Sequence, residues 1–442
     1  TSGLSSVFNV LRVFQQALFI VFFVTLAVGV PIGIAVGITS LSASIFDPML
    51  PANAAYVFRN MVTALDSYSL LAVPLFILSG NLMAKGGISK KLFNFFAYFV
   101  GNKTAGLPIA AIITCLFYGA ISGSGPATVA AVGAMTIPLL VQLGYNKDFV
   151  VAMVATSGGL GVIIPPSIPF IIYGLSSGES VGALFIAGVL PGILIGVCLM
   201  AYAYYYCKKN GEDKAKLKEN YDSLRSMGFI GILKDSFWAL LTPVIILGGI
   251  YGGIVTPTEA ANISVIYALI VSLFIYKSIN LKQVAEIMRD SIRSAAPVLL
   301  VVSTATVFGR VLTLMQAPQQ IAATITSAIS SPIVIMLVIN LFLLVVGMIM
   351  ETLAAILILT PIFLPIITQI GVNPIHFGVI MVVNLAIGFV TPPVGMNLYV
   401  ASSMSGIPVM RIAKHALPFI VAFFIALMII TFVPQISLLL IS

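Results

Sequence analysis

The chain has 442 residues, 60% of them hydrophobic and 8% charged, with a mean hydropathy of +1.15 and a formal net charge of +8. Soluble domains carry about 25% charged residues. This composition therefore excludes a cytosolic enzyme, a disordered chain and a nucleic-acid binder, and describes an all-α polytopic protein of a lipid bilayer.

The apolar runs are continuous, without the alternation of an outer-membrane barrel, so helices make the crossings. After a tail at 1–16, spans fit at about 17–45, 68–84, 147–178, 181–207, 230–252, 258–276, 294–314, 374–405 and 415–440. Two further apolar pairs, about 105–143 and 330–370, are each interrupted midway, as re-entrant hairpins are. Weakly amphipathic pieces fall near 50–66, 87–103, 277–293 and 316–329. The stretch from Ala17 is too long for a signal peptide, and no small-residue cleavage site follows it. One strongly charged run, Lys208 to Arg225 (KKNGEDKAKLKENYDSLR), marks a loop at 208–228 that divides the protein into halves. Cys115, Cys198 and Cys207 have no paired spacing, and His376 and His415 stand far apart, so no disulfide, metal centre or hydrolytic triad is expected.

Sliding the chain against itself by 227 residues superimposes its rarest local features. Pro165-Pro166 falls on Pro392-Pro393, Gly161 on Gly388, Pro138 on Pro365, Gly144 on Gly371, and Leu190-Pro191 on Leu417-Pro418. The halves are thus repeats, 17–207 and 253–442, joined by the charged loop and a linking helix at 229–252. Topology follows from the basic residues. With the 208–228 loop cytoplasmic, nine crossings and two hairpins put all but Arg59 and Arg310 of the 21 basic residues inside and the C-terminus outside. The net charge is then a loop property rather than a surface for an acidic partner. The odd helix 229–252 reverses the second repeat, so the repeats are inverted, the architecture of secondary transporters with sites at the midplane.

Hairpin one turns at Ser122-Gly123-Ser124-Gly125-Pro126-Ala127-Thr128 and hairpin two at Met350-Glu351-Thr352; the broken helices, 147–178 and 374–405, part at Gly161–Ser167 and Gly388–Asn397. Proline lacks an amide hydrogen and pushes the preceding residue out of helix, so each Pro-Pro pair releases carbonyls. Those carbonyls, with the hydroxyls of Ser122, Ser124, Thr352 and Thr391, are hard oxygen ligands for Na⁺. Helix N-termini beside the breaks suit a carboxylate. One such motif would be a simple kink; four, paired by a repeat, point to an ion and substrate site.

Few charges lie within the membrane. Glu351, at the tip of hairpin two, either caps its helix or touches ion or substrate, since a carboxylate on lipid costs about 2.5–3.5 kcal/mol. Glu259 in Thr256-Pro257-Thr258-Glu259 fits a helix N-terminus. Arg310 either snorkels or pairs with an interfacial carboxylate, and Trp238 and Lys234 read as interface anchors.

The stretches GSGPATVAAVGA (123–134), GVIIPPSIPFIIYG (161–174), TPTEAA (256–261) and GFVTPPVGMNLYV (388–400) occur in this order. With them the chain resembles the large membrane subunit of TRAP (tripartite ATP-independent periplasmic) transporters from about residue 17 to its end. The resemblance implies an elevator-type carrier of a bacterial inner membrane, with a small four-helix membrane subunit and a soluble periplasmic binding protein as partners. It also implies Na⁺-coupled import of an organic acid such as sialate or a four-carbon dicarboxylate. Carried over by residue, a first Na⁺ site would use Ser122, Ser124, Gly161, Ile164 and Pro165. By repeat symmetry a second would use Thr352, Gly388, Thr391 and Pro392. Substrate would lie near Thr128, Ser167 and Asn397, with Glu351 close by. Repeat two departs from the pattern at its hairpin tip, where Glu351-Thr352 replaces the Gly-Ser-Gly-Pro turn.

The expected scaffold comprises 17–45, 230–252 and 258–276, with 181–207 and 415–440 as additions. The hairpins and broken helices would form the moving block, linked to it by arms at 50–66 and 277–293. A stand-alone Na⁺- or H⁺-coupled carrier without a binding protein fits the repeat equally well; an intramembrane enzyme would need a nucleophile with a base, or a metal site, that the spans lack.

Overall fold

The computed structural model describes residues 16–47 and 49–441, so of the tail expected at 1–16 only Gln16 falls within it. The first apolar stretch forms two helices rather than one: α1 (Gln16–Ala27) and α2 (Ile32–Phe46). Gly29 adopts φ +88° between them and Pro31 supplies no amide. Gly29 and Pro31 align with Thr256 and Thr258 of the second repeat, at the start of the helix Pro257–Ile270 that follows a break after Tyr251.

Then follow α3 (Ala54–Leu65), α4 (Ala72–Lys85), α5 (Ile88–Val100), α6 (Gly106–Ser122), α7 (Gly125–Gln142), α8 (Lys147–Ser157), α9 (Ile168–Ser177) and α10 (Val181–Asn210). The charged stretch is not simply a loop, because Lys214–Ser226 forms α11, capped by the Asp213 side chain on the Lys216 amide. Next come α12 (Gly228–Tyr251) and α13 (Pro257–Ile270), whose Thr256–Glu259 capping box matches the expected start.

The second repeat departs at once. Where α3 and the Ser69–Lys85 segment bend by 66°, their counterparts run on as one helix, α14 (Leu281–Leu314). The arm expected at 277–293 is therefore the first half of a 34-residue helix. At 1.5 Å per residue that is about 51 Å, well beyond a hydrocarbon core of about 30 Å. The cause is local. Asp66-Ser67-Tyr68-Ser69 breaks the first repeat, since Asp and Ser compete for backbone hydrogen bonds, whereas Arg293-Ser294-Ala295-Ala296 stands in the second.

The chain closes with α15 (Ala317–Ala328), α16 (Pro332–Ile349), α17 (Thr352–Gln369), α18 (Pro374–Gly388), α19 (Met396–Ser405), α20 (Val409–Phe432) and α21 (Gln435–Leu438). Both ends of α7 and α17, and the end of α6 against that of α16, coincide at the 227-residue offset. Among the described residues, 8 helices are long and apolar enough to span, or 9 counting the bent pair. They include α7, α16 and α17, which are hairpin limbs, and omit the short halves of the broken helices.

Packing is reciprocal. α2 lies on α14 and α13 on α4; α7 lies on α19 and α17 on α9; α8 lies on α20 and α18 on α10. Each half therefore completes the other, and the fold is a pair of inverted repeats. α10 and α20 pack on each other and on the broken helices, so they belong with that block and not with the scaffold of α2, α12 and α13.

Candidate functional site

At hairpin one, α6 ends on Gly123 at φ +61°, and its amide donates to the Gly119 carbonyl at 3.0 Å. A side chain there would meet the Pro166 carbonyl oxygen at 2.8 Å, so only glycine lets the tip seat against the broken helix. Thr128 Oγ1 donates to the Ser124 carbonyl at 2.8 Å and lies 3.0 Å from Ser122 Oγ. A β-carbon on Gly161 would stand 2.3 Å from Thr128 Oγ1 and 2.8 Å from the Ser124 oxygen. Ser122, Ser124 and Gly161 are thus brought together, with Thr128 as a fourth member. Among the described residues, no amide donates to the carbonyls of Ile164 or Pro165. An oxygen-rich cluster without a fixed cation suits Na⁺.

The second repeat is built differently. A β-carbon on Gly388 would meet the Gly347 backbone oxygen at 2.2 Å, so this glycine serves close packing of α18 on α16. The Thr391 hydroxyl donates to the Ile387 carbonyl at 2.8 Å, and Pro392 precedes Pro393 through a cis bond, as Pro165 does Pro166. Thr352 stands at the start of α17, buried, on the cavity between the tips.

That cavity, of about 290 Å³, is lined by both hairpin tips (Ser122–Ala127 and Glu351–Leu353), by Val162, Ile168, Pro169, Phe389 and Met396, and by Ile77, Gly80, Asn81, Ser294 and Val298 from α4 and α14. Four helix N-termini meet on it: α7, α9, α17 and α19. Two are satisfied internally. Ser167 accepts the Phe170 amide at 3.3 Å, and one Glu351 oxygen accepts the Leu353 and Ala354 amides at 3.0 and 3.1 Å. The other two, α7 and α19, have no side-chain cap, but on α19 the Asn397 amide donates to the Phe389 carbonyl at 3.0 Å, which leaves α7 the more open of the two. Each helix N-terminus carries about half an elementary charge, so four of them with one carboxylate leave an anion-attracting chamber.

Thr128, Ser167 and Asn397 do not line this chamber: all three are fully buried. The Ser167 hydroxyl also donates to the Val162 carbonyl, and Asn397 Nδ2 donates to the Ala155 carbonyl across the repeats at 3.0 Å. Asn397 Oδ1 has no hydrogen-bond partner among the described residues and faces Gly125, whose β-carbon would lie 3.2 Å away. Among the four expected substrate residues, only Glu351 reaches the chamber, as a cap. Asn81 and Ser294 escaped the sequence reading. A lone Asn inside the apolar run of α4 was the signal for the first; its Nδ2 donates to Ser291 Oγ on α14 at 2.9 Å. Ser294 has no such signal.

Residues 19–436 match the family described as "Tripartite ATP-independent periplasmic transporter, DctM component". The chain belongs to the DctM family. It is 45% identical, over 95% of its length, to the isethionate TRAP transporter permease protein DctMQ of Oleidesulfovibrio alaskensis, and spans 65% of that relative. It is 42% identical over 84% of its length to the C4-dicarboxylate TRAP transporter large permease protein DctM of Pseudomonas aeruginosa, covering 86% of it. The fold of this DctM-family chain is similar to that of the YdaH transporter of Alcanivorax borkumensis, with a TM-score of 0.60 at 14% identity over 89% of each chain. Membership makes it an integral multi-pass transporter permease, and the four motifs of the DctM resemblance fall on the hairpin-one tip, the two broken helices and the start of α13.

Proposed function

We propose that the chain is the large subunit of a Na⁺-coupled importer of a small organic acid, sialate or a four-carbon dicarboxylate, that works by an elevator movement. The observation that carries this is the chamber between the hairpin tips, with two uncapped helix N-termini beside an oxygen-rich cluster at Ser122, Ser124, Thr128 and Gly161. An anion on the open N-terminus of α7 and Na⁺ on the oxygens neutralise one another, which couples their binding. The isethionate relative extends the class to a sulfonate, which presents the same compact anion.

The site sits between a block of hairpins, broken helices, α10 and α20 and a frame of α2, α4, α12, α13 and α14. Sliding the block along α4 and α14 would expose the chamber alternately to either side. Two Na⁺ with one monoanion carry one net charge, contributing about 2.3 kcal/mol at 100 mV. Two tenfold gradients add about 2.8 kcal/mol, enough together for accumulation of thousands-fold. The first reactant would arrive from a periplasmic binding protein, with a small four-helix subunit bracing the frame in a bacterial inner membrane and the C-terminus periplasmic.

The test is uptake of radiolabelled sialate, succinate, malate and isethionate into proteoliposomes holding the chain and its small subunit. Uptake that needs both an inward Na⁺ gradient and the binding protein is the expected result. Na⁺-driven uptake indifferent to the binding protein would overturn the tripartite reading alone, and electroneutral uptake of a monoanion would overturn the stoichiometry.

A further inference from the structure

A second cavity, of about 420 Å³, opens farther along the same seam. The chamber between the tips touches α14 at Ser294 and Val298, α9 at Ile168 and Pro169, and α17 at Thr352 and Leu353. The second touches the same three helices: α14 from Ala305 to Leu314, α9 at Leu175 and Ser176, and α17 at Leu357 and Pro361, with Tyr56 of α3 completing it. From Val298 to Arg310 the step along α14 is about 18 Å. The two cavities are successive stations on one track.

The second station holds a cation. Arg310 projects from α14 into it, exposed, with its guanidinium donating to Asn60 Oδ1 of α3. It joins no ion pair among the described residues. Hydroxyl-bearing Thr306, Thr313, Ser176 and Tyr56 share the wall. Arg310 is also one of two basic residues that the charge-derived topology leaves on the outer side, and the next in sequence is Arg411. Neither the positive-inside pattern nor an internal carboxylate accounts for it. An arginine of this kind, with open donors facing a cavity, suits a carboxylate or sulfonate.

We propose that the Arg310 cavity is an outer receiving site at the seam between frame and block, where Arg310 of the frame holds the anionic group of the incoming organic acid before it passes to the chamber between the hairpin tips. This rests on the transport reading above. Carrying the block along α14 by about the spacing of the two cavities would bring Thr352 and the open N-terminus of α7 level with Arg310. The anion would then pass from guanidinium to helix N-terminus without crossing bare hydrocarbon.

The experiment measures uptake of whichever labelled acid the wild-type complex takes, under a fixed Na⁺ gradient, and efflux of the same acid from preloaded liposomes. R310Q is expected to raise the half-saturating outside concentration about tenfold, with the maximal rate within twofold of wild type and efflux unchanged. R310K should lie between the two. An unchanged outside half-saturation in R310Q, or an equal loss in both directions, would overturn the proposal. Where R310Q does not reach the membrane, T306V in the same wall replaces it, with a two- to threefold rise expected and no change overturning it. Repeating the series in pure phosphatidylcholine and with added phosphatidylglycerol separates substrate from lipid phosphate. A defect seen only with the anionic lipid assigns Arg310 to a headgroup and overturns the proposal. Absence of Na⁺-driven uptake by the wild-type complex would instead remove the transport reading itself.

Discussion

Gly161 lies against Thr128 so closely that a β-carbon on the glycine would stand 2.3 Å from the threonine hydroxyl. The repeat-related Gly388 meets backbone instead, the Gly347 carbonyl, at 2.2 Å. Both glycines sit at close backbone crossings, Gly161 beside Gly119 and Gly388 beside Gly347, but only Gly161 also abuts the oxygens of Ser124 and Thr128.

G161A is accordingly expected to displace the Thr128 side chain while the protein still folds. Its Na⁺ half-saturation in uptake should rise about tenfold or more, with a smaller fall in thermal midpoint than G388A. A variant with wild-type Na⁺ dependence would remove Gly161 and Thr128 from the ion site.

G388A faces the Gly347 backbone, which cannot yield. Overpacking of this sort costs about 1–3 kcal/mol, so the expected outcome is a lower thermal midpoint and poor yield in detergent. Uptake per folded molecule should change much less than in G161A, and scintillation uptake normalised to protein checks the contrast.

Glu351 caps α17 through one carboxylate oxygen. E351Q keeps an acceptor and should retain most activity, whereas E351A loses a cap worth about 1 kcal/mol and leaves two amides open to the chamber. If E351Q abolishes uptake as fully as E351A, the negative charge itself is required and the capping account fails.

Asn397 holds the two repeats together through the Ala155 carbonyl. N397A strands that buried oxygen, a loss of about 1–3 kcal/mol, and removes the Oδ1 beside Gly125. A fall in thermal stability without a change in substrate half-saturation is expected, since the side chain lies outside the chamber.

Glu212 closes the base of hairpin one. Both its oxygens accept the Ala105 amide at 3.0 Å, and Tyr145 donates to Oε1 at 2.6 Å, so one carboxylate ties the residue before α6 to the loop after α7. Burial, with the adjacent carboxylate, holds the Tyr145 phenol well above its usual range, so it stays a donor at any pH the protein meets. Y145F should lower the thermal midpoint by a few degrees and E212A by more. Hydrogen exchange at Ala105 should quicken in E212A, and unchanged exchange there would show that the tie is dispensable.

Much of the architecture was readable from the sequence, because proline, glycine and apolar length act locally. The Pro-Pro pairs, Gly123 and the 227-residue offset placed both hairpin turns and both helix breaks where the structure has them. Local rules also account for the Thr256–Glu259 capping box. They could equally have shown that Gly29 and Pro31 end α1, a signal outweighed by the continuous hydropathy around it. What only the tertiary structure decided is which groups meet across some 200 residues of chain. That α7 lies on α19 and α17 on α9 sets four helix N-termini on one cavity. Contact then turns Ser167 and Asn397, plausible ligands by type, into a cap and a tie, while Asn81, Ser294 and Arg310 come to the track from the frame. A residue's type states what it can bind; in a membrane, where every buried polar group must find a partner, its neighbours decide what it does bind.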